Sequence, residues 1–169
     1  AMPRTRGADL LDGRLDAAIL ALPISEPSLV EHPLFSEEFL LVRPIDADDD
    51  PAPTAGALSE MRLMLLEEGH CFRDQAIAYC GIPTIRSGGL IEGSSLSTLV
   101  QLVGVGIGVT LVPEMAVPIE TRSARVSVVR LQDPRPSRTV GMVWRRTNPS
   151  ADQLAEIADL ARRIGEKTG

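Results

Sequence analysis

The chain has 169 residues, enough for one substantial domain or two small lobes, and 44% of them are hydrophobic, as in a globular protein. A formal net charge of −6 excludes a general electrostatic surface for nucleic acid, so we expect no DNA binding by this chain alone. No run of eighteen apolar residues and no signal-peptide pattern occur, which predicts a cytoplasmic chain without a membrane span, whose thiols start reduced.

The first predicted elements are strands. Residues 15–22 are continuously apolar after Asp16, which predicts a strand covered on both faces that ends at Pro23. Residues 29–35 and 38–43 predict two short strands separated by a polar turn. The acidic residues 45–57, rich in proline and alanine, predict a solvated surface loop.

Residues 69–80 contain both cysteines, one of the two histidines and the only tyrosine. The apolar run 62–66 predicts a buried strand, followed by a turn and a helix with Cys71 in its first turn. At a helix start the unpaired N–H groups and the dipole favour a thiolate, and His70 and Arg73 add positive charge. Asp74 is expected to anchor Arg73 or to cap the helix. Two cysteines without a CxxC pair argue against a metal site, so we expect neither metal nor cofactor.

The spacing of the cysteines predicts a conformational conflict. If residues 71–80 form one helix, the two sulfurs lie on opposite faces, about 13 Å apart along the axis. A disulfide needs Cα atoms within about 7 Å, so a Cys71–Cys80 bond would require the helix to unwind. Cys80 shares the apolar face with Phe72 and Ala76, which favours Cys71 as the reactive thiol and Cys80 as the resolving one. Alternatively, both cysteines are inert apolar side chains.

The next segments alternate between strand and helix. Residues 82–88 predict a loop and 89–92 a short strand. Ser94 or Ser95 is expected to cap a helix that Gly104 closes, with an apolar repeat at Leu96, Leu99, Val100 and Val103. The glycine-rich residues 104–108 follow a helix and lead into the apolar run 109–113, which is the wrong order for a dinucleotide fingerprint.

The carboxyl-terminal part predicts two more strands and a helix. Residues 126–131 and 139–144 predict strands, joined by a proline-containing crossover at 133–137. The last helix is expected to begin at Pro149-Ser150, with a capping box between Ser150 and Gln153 and an apolar stripe at Leu154, Ile157, Leu160 and Ile164. Strands alternating with helices predict an α/β fold.

Three strings resemble a known family. GHCFRDQ at 69–75, with eight residues between the two cysteines, resembles the redox loop of the OxyR-type peroxide sensors, a branch of the LysR-type transcriptional regulators. GRLDAAILALP at 13–23 resembles the strand that LysR-type effector domains place after their second helix. GSSLSTL at 93–99 resembles their effector-facing helix start, where Ser94 and Ser95 could hold a small polar ligand or simply cap the helix.

The resemblance implies two Rossmann-like lobes of the LysR-type effector-binding fold, which is similar to the periplasmic binding proteins. Lobe I would comprise residues 8–36 and 140–169, and lobe II residues 37–139. In the family a first strand and helix precede the GRLD strand, so lobe I is expected to be incomplete. The helix-turn-helix DNA-binding domain is also expected to be absent from this chain.

The resemblance also implies a function. Cys71 would be oxidised by hydrogen peroxide and form an intramolecular disulfide with Cys80, which would change the DNA binding of a full-length homodimer or homotetramer. DNA would be contacted only through the missing amino-terminal domain, and the protein would not be an enzyme. The expected peroxide-pocket residues are His70, Arg73, Asp74 and Arg138, the last within PSRTVGMVWRR at 136–146.

Two alternatives stay open from the sequence. One is a LysR-type effector domain that binds a small metabolite between its lobes, with cysteines that take no part in function. The other is a thiol enzyme that uses Cys71 and His70, although adjacent residues rarely meet as nucleophile and base and no orienting partner is evident.

Overall fold

The computed structural model describes residues 6–67, 71–81 and 91–166, without the side chains at positions 71, 79 and 80. The helices and strands in chain order are α1 (Arg6–Leu11), β1 (Ala17–Leu22), β2 (Leu29–Pro44), β3 (Leu63–Leu66), α2 (Cys71–Cys80), β4 (Ile91–Gly93), α3 (Leu96–Gly104), β5 (Val109–Pro113), α4 (Val117–Glu120), β6 (Val126–Arg130), β7 (Ser137–Arg145) and α5 (Ala151–Glu166). Short 3-10 helices lie at Ile45–Ala47, Gly56–Glu60 and Glu114–Ala116. Within the described residues, no helix combines the length and apolar composition that crossing a membrane requires.

The chain divides into two compact units. The first unit contains the residues up to Ser36 and those from Arg138 onward, and the second is Glu37–Ser137. The division therefore falls after Ser137, whereas the sequence placed it after Thr139.

In the first unit β7 lies between β1 and the first part of β2. β1 pairs antiparallel with β7 from Ala17 opposite Trp144 to Leu22 opposite Thr139. One apolar cluster joins the sheet to Leu10 of α1, and another joins it to Leu154 and Ala158 of α5. Ile19 belongs to neither cluster and is 56% exposed, so the prediction that β1 is covered on both faces is wrong at this position.

β2 is one continuous strand rather than the two strands predicted. In the extended strand, the two polar residues that suggested a turn each have a hydrogen-bond partner on another part of the chain. The Ser36 hydroxyl lies 3.1 Å from that of Thr139, and the buried Glu37 carboxylate accepts a hydrogen bond from the Met115 amide at 3.0 Å. These partners are distant in sequence, so the local pattern could not reveal them.

In the second unit the strand order is β2, β5, β3, β4, with β6 on the other side of β2. β3 runs parallel to both β4 and β5 and is buried on both faces, as its apolar run predicted. Leu63 and Leu65 pack in the cluster that includes Ala76 of α2, whereas Met64 and Leu66 pack in the cluster of α3. The two-residue alternation of the strand thus places α2 and α3 on opposite faces.

The acidic segment after β2 lies at the surface, as predicted, but its backbone is hydrogen-bonded to the rest of the unit. Arg43 is buried, and its guanidinium donates to the carbonyl oxygens of Asp48 at 2.9 Å, Asp50 at 2.8 Å and Pro51 at 3.4 Å. Leu58, in the following 3-10 helix, is fully buried in the core. A buried cation therefore binds the backbone of a segment whose side chains mostly face solvent, and Ser127 and Gln132 add hydrogen bonds to Asp48 and to the carbonyl oxygen of Ala52.

The last helix begins near the predicted residue but buries a different face. Asn148, rather than Ser150, supplies the side-chain acceptor at its start, because its Oδ1 accepts from the Ser150 amide at 2.8 Å. Of the predicted apolar stripe only Leu154 is buried, and the other three residues are exposed: Ile157 (54%), Leu160 (55%) and Ile164 (59%). The buried face is rich in alanine, since Ala151, Ala155, Ala158 and Ala161 pack in the cluster around Trp144.

Candidate functional site

The candidate site is built on α2. β3 ends at Leu66 and α2 begins at Cys71, so Cys71 occupies the first helical turn, as predicted. α2 ends at Cys80, which separates the two cysteine backbones by about 13 Å along the axis. His70 and residues 68–69 of the turn predicted at 67–69 lie outside the described residues. Residues 82–90 do so too, and they include the predicted loop after α2 and the start of the predicted strand at 89–92. β4 begins at Ile91.

Arg73 is anchored beneath α2. It is only 3% exposed, and its Nη1 donates to the carbonyl oxygen of Leu66 at 3.1 Å. The same nitrogen forms an ion pair with the carboxylate of Glu92 on β4. Asp74, which the sequence offered as the anchor of Arg73, is exposed. The structure therefore directs the positive charge of Arg73 toward β3 and β4.

Two polar residues of this region were missed. Glu92 was predicted only as part of a strand, although it is the acid that pairs with Arg73. Gln75 has a buried Oε1 without a hydrogen-bond partner among the described residues. A signal for an acidic partner of Arg73 existed, although not for Glu92 in particular, because Arg73 precedes Ala76 and Ile77 by three and four residues and therefore shares their apolar face. A charge on a buried face requires a partner.

Ser95 caps α3. Its Oγ accepts a hydrogen bond from the Thr98 amide at 3.2 Å and lies 3.0 Å from the Thr98 hydroxyl. The sequence left the choice between Ser94 and Ser95 open, and the structure assigns the cap to Ser95. Ser94 is exposed beside it. A ligand-binding role of either hydroxyl stays a prediction.

Arg138 is the second residue of β7 and is half-buried. It belongs to the first compact unit, whereas α2 belongs to the second. Its role toward Cys71 stays a prediction. In the described part of the chain, no group of three or more His, Cys, Asp or Glu side chains is arranged to hold a metal ion.

Comparison with known proteins identifies the family. Residues 3–164 match the family model of the LysR substrate binding domain. The chain belongs to the LysR substrate-binding domain family. This LysR domain is 43% identical over 170 residues to a probable hydrogen peroxide-inducible genes activator of Streptomyces viridosporus, with 94% of the chain and 53% of the relative covered. It therefore spans about half the length of the curated relatives that it matches.

Solved structures agree with this assignment. The reduced form of the OxyR regulatory domain from Pseudomonas aeruginosa has a TM-score of 0.79 at 34% identity, covering 95% of this chain and 76% of that one. A Corynebacterium glutamicum OxyR mutant with hydrogen peroxide bound has a TM-score of 0.85 at 32% identity, covering 96% of this chain and 52% of that one. These similarities confirm the predicted LysR-type α/β fold and the resemblance to the peroxide-sensing branch.

Proposed function

We propose that this LysR domain is the regulatory domain of a transcriptional regulator that senses hydrogen peroxide through Cys71 and Cys80. The observation that carries the proposal is α2, which begins at one cysteine and ends at the other in a domain similar to OxyR regulatory domains. The amino end of a helix favours a thiolate, which is the form of cysteine that attacks a peroxide.

The reaction has two balanced steps. The Cys71 thiolate attacks one peroxide oxygen, the O–O bond breaks, and a sulfenic acid and hydroxide form; the hydroxide takes up a proton to give water. The Cys80 thiol then attacks the sulfenic sulfur, which forms the disulfide and releases a second water. One peroxide is reduced and two thiols are oxidised.

The supporting residues have different parts in this proposal. His70 and Arg138 are the candidates for polarising the O–O bond, since the guanidinium of Arg73 already binds Leu66 and Glu92. The buried Oε1 of Gln75, four residues after Cys71, could accept a hydrogen bond from the peroxide hydroxyl. Asp74 is exposed in the first turn of α2, where a carboxylate stabilises the helix by a favourable interaction with the helix dipole.

The disulfide would change the fold locally. Cys71 and Cys80 lie about 13 Å apart along an intact helix, and a disulfide needs Cα atoms within about 7 Å. α2 must therefore unwind, at least in part, for the bond to form. In the longer regulator we propose that this refolding alters the contacts within a homodimer or homotetramer and thereby DNA binding through a separate domain.

The proposal is tested by adding one equivalent of hydrogen peroxide to the reduced protein and mapping its peptides by mass spectrometry. We expect a Cys71–Cys80 disulfide in the wild type, no oxidation product in Cys71→Ser, and a sulfenic acid trapped by dimedone in Cys80→Ser. A folded protein whose Cys71 does not react would contradict the proposal. Rapid repeated turnover of peroxide in the presence of a reductant, as opposed to one redox cycle, would favour the alternative of a thiol enzyme.

A further inference from the structure

The ion pair between Arg73 and Glu92 connects α2 to the sheet beneath it. The guanidinium is almost completely buried, and it also donates to the carbonyl oxygen of Leu66. β3 and β4 are parallel neighbours, with Leu65 opposite Glu92 and Leu66 opposite Gly93. The two acceptors of Arg73, the Leu66 carbonyl oxygen and the Glu92 carboxylate, therefore lie at the same end of two hydrogen-bonded strands.

The position of Arg73 in α2 gives this contact a consequence for the helix. Arg73 is the third residue of α2, two residues after Cys71. Unwinding that begins at Cys71 moves the Arg73 backbone and pulls the guanidinium away from both acceptors. A buried cation that loses its partners is strongly destabilised, so the helical form is favoured as long as the pair is intact.

We propose that the Arg73–Glu92 pair is a latch that stabilises the helical, dithiol form of α2 and opens when the Cys71–Cys80 disulfide forms. The inference rests on the proposed function, since it concerns the same oxidation. Glu92 is a positioning residue in this account, because it acts through Arg73 and takes part in no bond change. The intact pair adds to the free-energy cost of unwinding α2 and therefore opposes the second step, in which the Cys80 thiol attacks the sulfenic acid and water leaves.

Glu92→Gln tests the latch with little risk to folding, because the Glu92 side chain is 36% exposed and glutamine has nearly the same shape. The readout is the equilibrium between dithiol and disulfide in glutathione buffers, measured by alkylation and mass spectrometry. Loss of the latch should shift this equilibrium toward the disulfide about tenfold, equal to a potential about 30 mV more negative for the two-electron couple. Glu67→Gln is the matched control, since Glu67 is an exposed carboxylate that directly follows β3.

The first step should be unaffected. In a Cys80→Ser background, Glu92→Gln should leave the rate of sulfenic acid formation within about twofold of the parent. A tenfold change in that rate with an unchanged equilibrium would overturn the latch and assign the pair to thiolate chemistry. In an Arg73→Gln background the effect of Glu92→Gln on the equilibrium should vanish, because the pair is already broken.

The outcomes separate the two proposals. A wild type that forms the disulfide while Glu92→Gln and Glu67→Gln share its equilibrium would overturn the latch and leave peroxide sensing intact. A wild type that forms no disulfide would overturn the proposed function, and the latch with it.

Discussion

Phe72 of α2 meets Phe39 of β2 edge to face, with ring centroids 5.1 Å apart and ring planes at 83°. Phe39 is buried in one core cluster of the second unit, and Phe72 packs against that cluster and against the cluster of α3. The helix that carries the cysteines is therefore held to the sheet by an aromatic contact as well as by Arg73.

The aromatic pair should contribute measurably to stability. Edge-to-face pairs contribute about 0.5–1.5 kcal/mol beyond the area that they bury. We expect a double-mutant cycle of Phe39→Leu and Phe72→Leu, followed by urea unfolding, to give a coupling free energy in that range. Additive effects of the two substitutions would show that the rings act only through burial.

Gly108 should not tolerate a side chain. A Cβ at this position would lie 2.3 Å from the carbonyl oxygen of Arg62, which accepts the Val109 amide at 3.0 Å where β5 begins beside β3. Gly108→Ala should lower the free energy of unfolding by about 1–3 kcal/mol. Gly56→Ala is the control, because nothing lies within 4 Å of its Cβ position. Equal urea midpoints for the two variants would contradict this expectation.

Arg43 should be required for order in the acidic segment. Arg43→Met removes a buried cation from three carbonyl oxygens and should lower the free energy of unfolding by about 2–3 kcal/mol. Amide hydrogen exchange in residues 48–51 should also become faster. Arg122→Met, at an exposed arginine of the same unit, should change neither quantity. Unchanged exchange in Arg43→Met would mean that the segment is ordered by other contacts.

Ionisation of Glu38 should make the free energy of unfolding depend on pH in the acid range. Burial alone would raise the pKa of its carboxyl, but hydrogen bonds and attraction from Arg130 and then Arg135 lower the pKa below its ordinary 4.5. The hydrogen bonds of Arg130 to Glu38 and Glu114 raise the pKa of the Arg130 guanidinium. Because the folded pKa of Glu38 is depressed, its stabilisation is present above the unfolded pKa and is lost as pH falls through the folded value.

We therefore expect Glu38→Gln to be less stable than the wild type at pH 7 in low salt, and the difference to shrink below about pH 4. Urea unfolding between pH 7 and pH 3 measures it, with Glu60→Gln as an exposed carboxylate control in the same unit. A difference that stays constant across this range would refute a role of Glu38 ionisation.

The sequence predicted the elements whose signals are local. The β3 strand, the position of Cys71 in the first turn of α2 and a serine cap of α3 at residue 94 or 95 follow from apolar runs and cap chemistry within a few residues. The continuity of β2 and the buried alanine face of α5 depend on partners distant in sequence. The local pattern therefore predicted two strands in place of one and the wrong buried face of the helix.

In the candidate site, too, the features with local signals were predicted and those that depend on distant residues were not. The cysteine spacing and the motif around it are visible in the sequence, and they led to the family that the comparisons confirm. The partner of Arg73 is nineteen residues away, on a strand that lies beside β3 only after folding. The sequence shows that a buried arginine needs an acid, but the choice of Glu92 over Asp74 requires the sheet.

The most direct test of the account is amide hydrogen exchange across α2 in the reduced protein and in the same protein after one equivalent of hydrogen peroxide. We predict protected amides in the reduced form, and loss of protection within residues 71–80 together with a Cys71–Cys80 disulfide in the oxidised form. A disulfide that forms while the protection of these amides is unchanged would contradict the claim that oxidation unwinds α2.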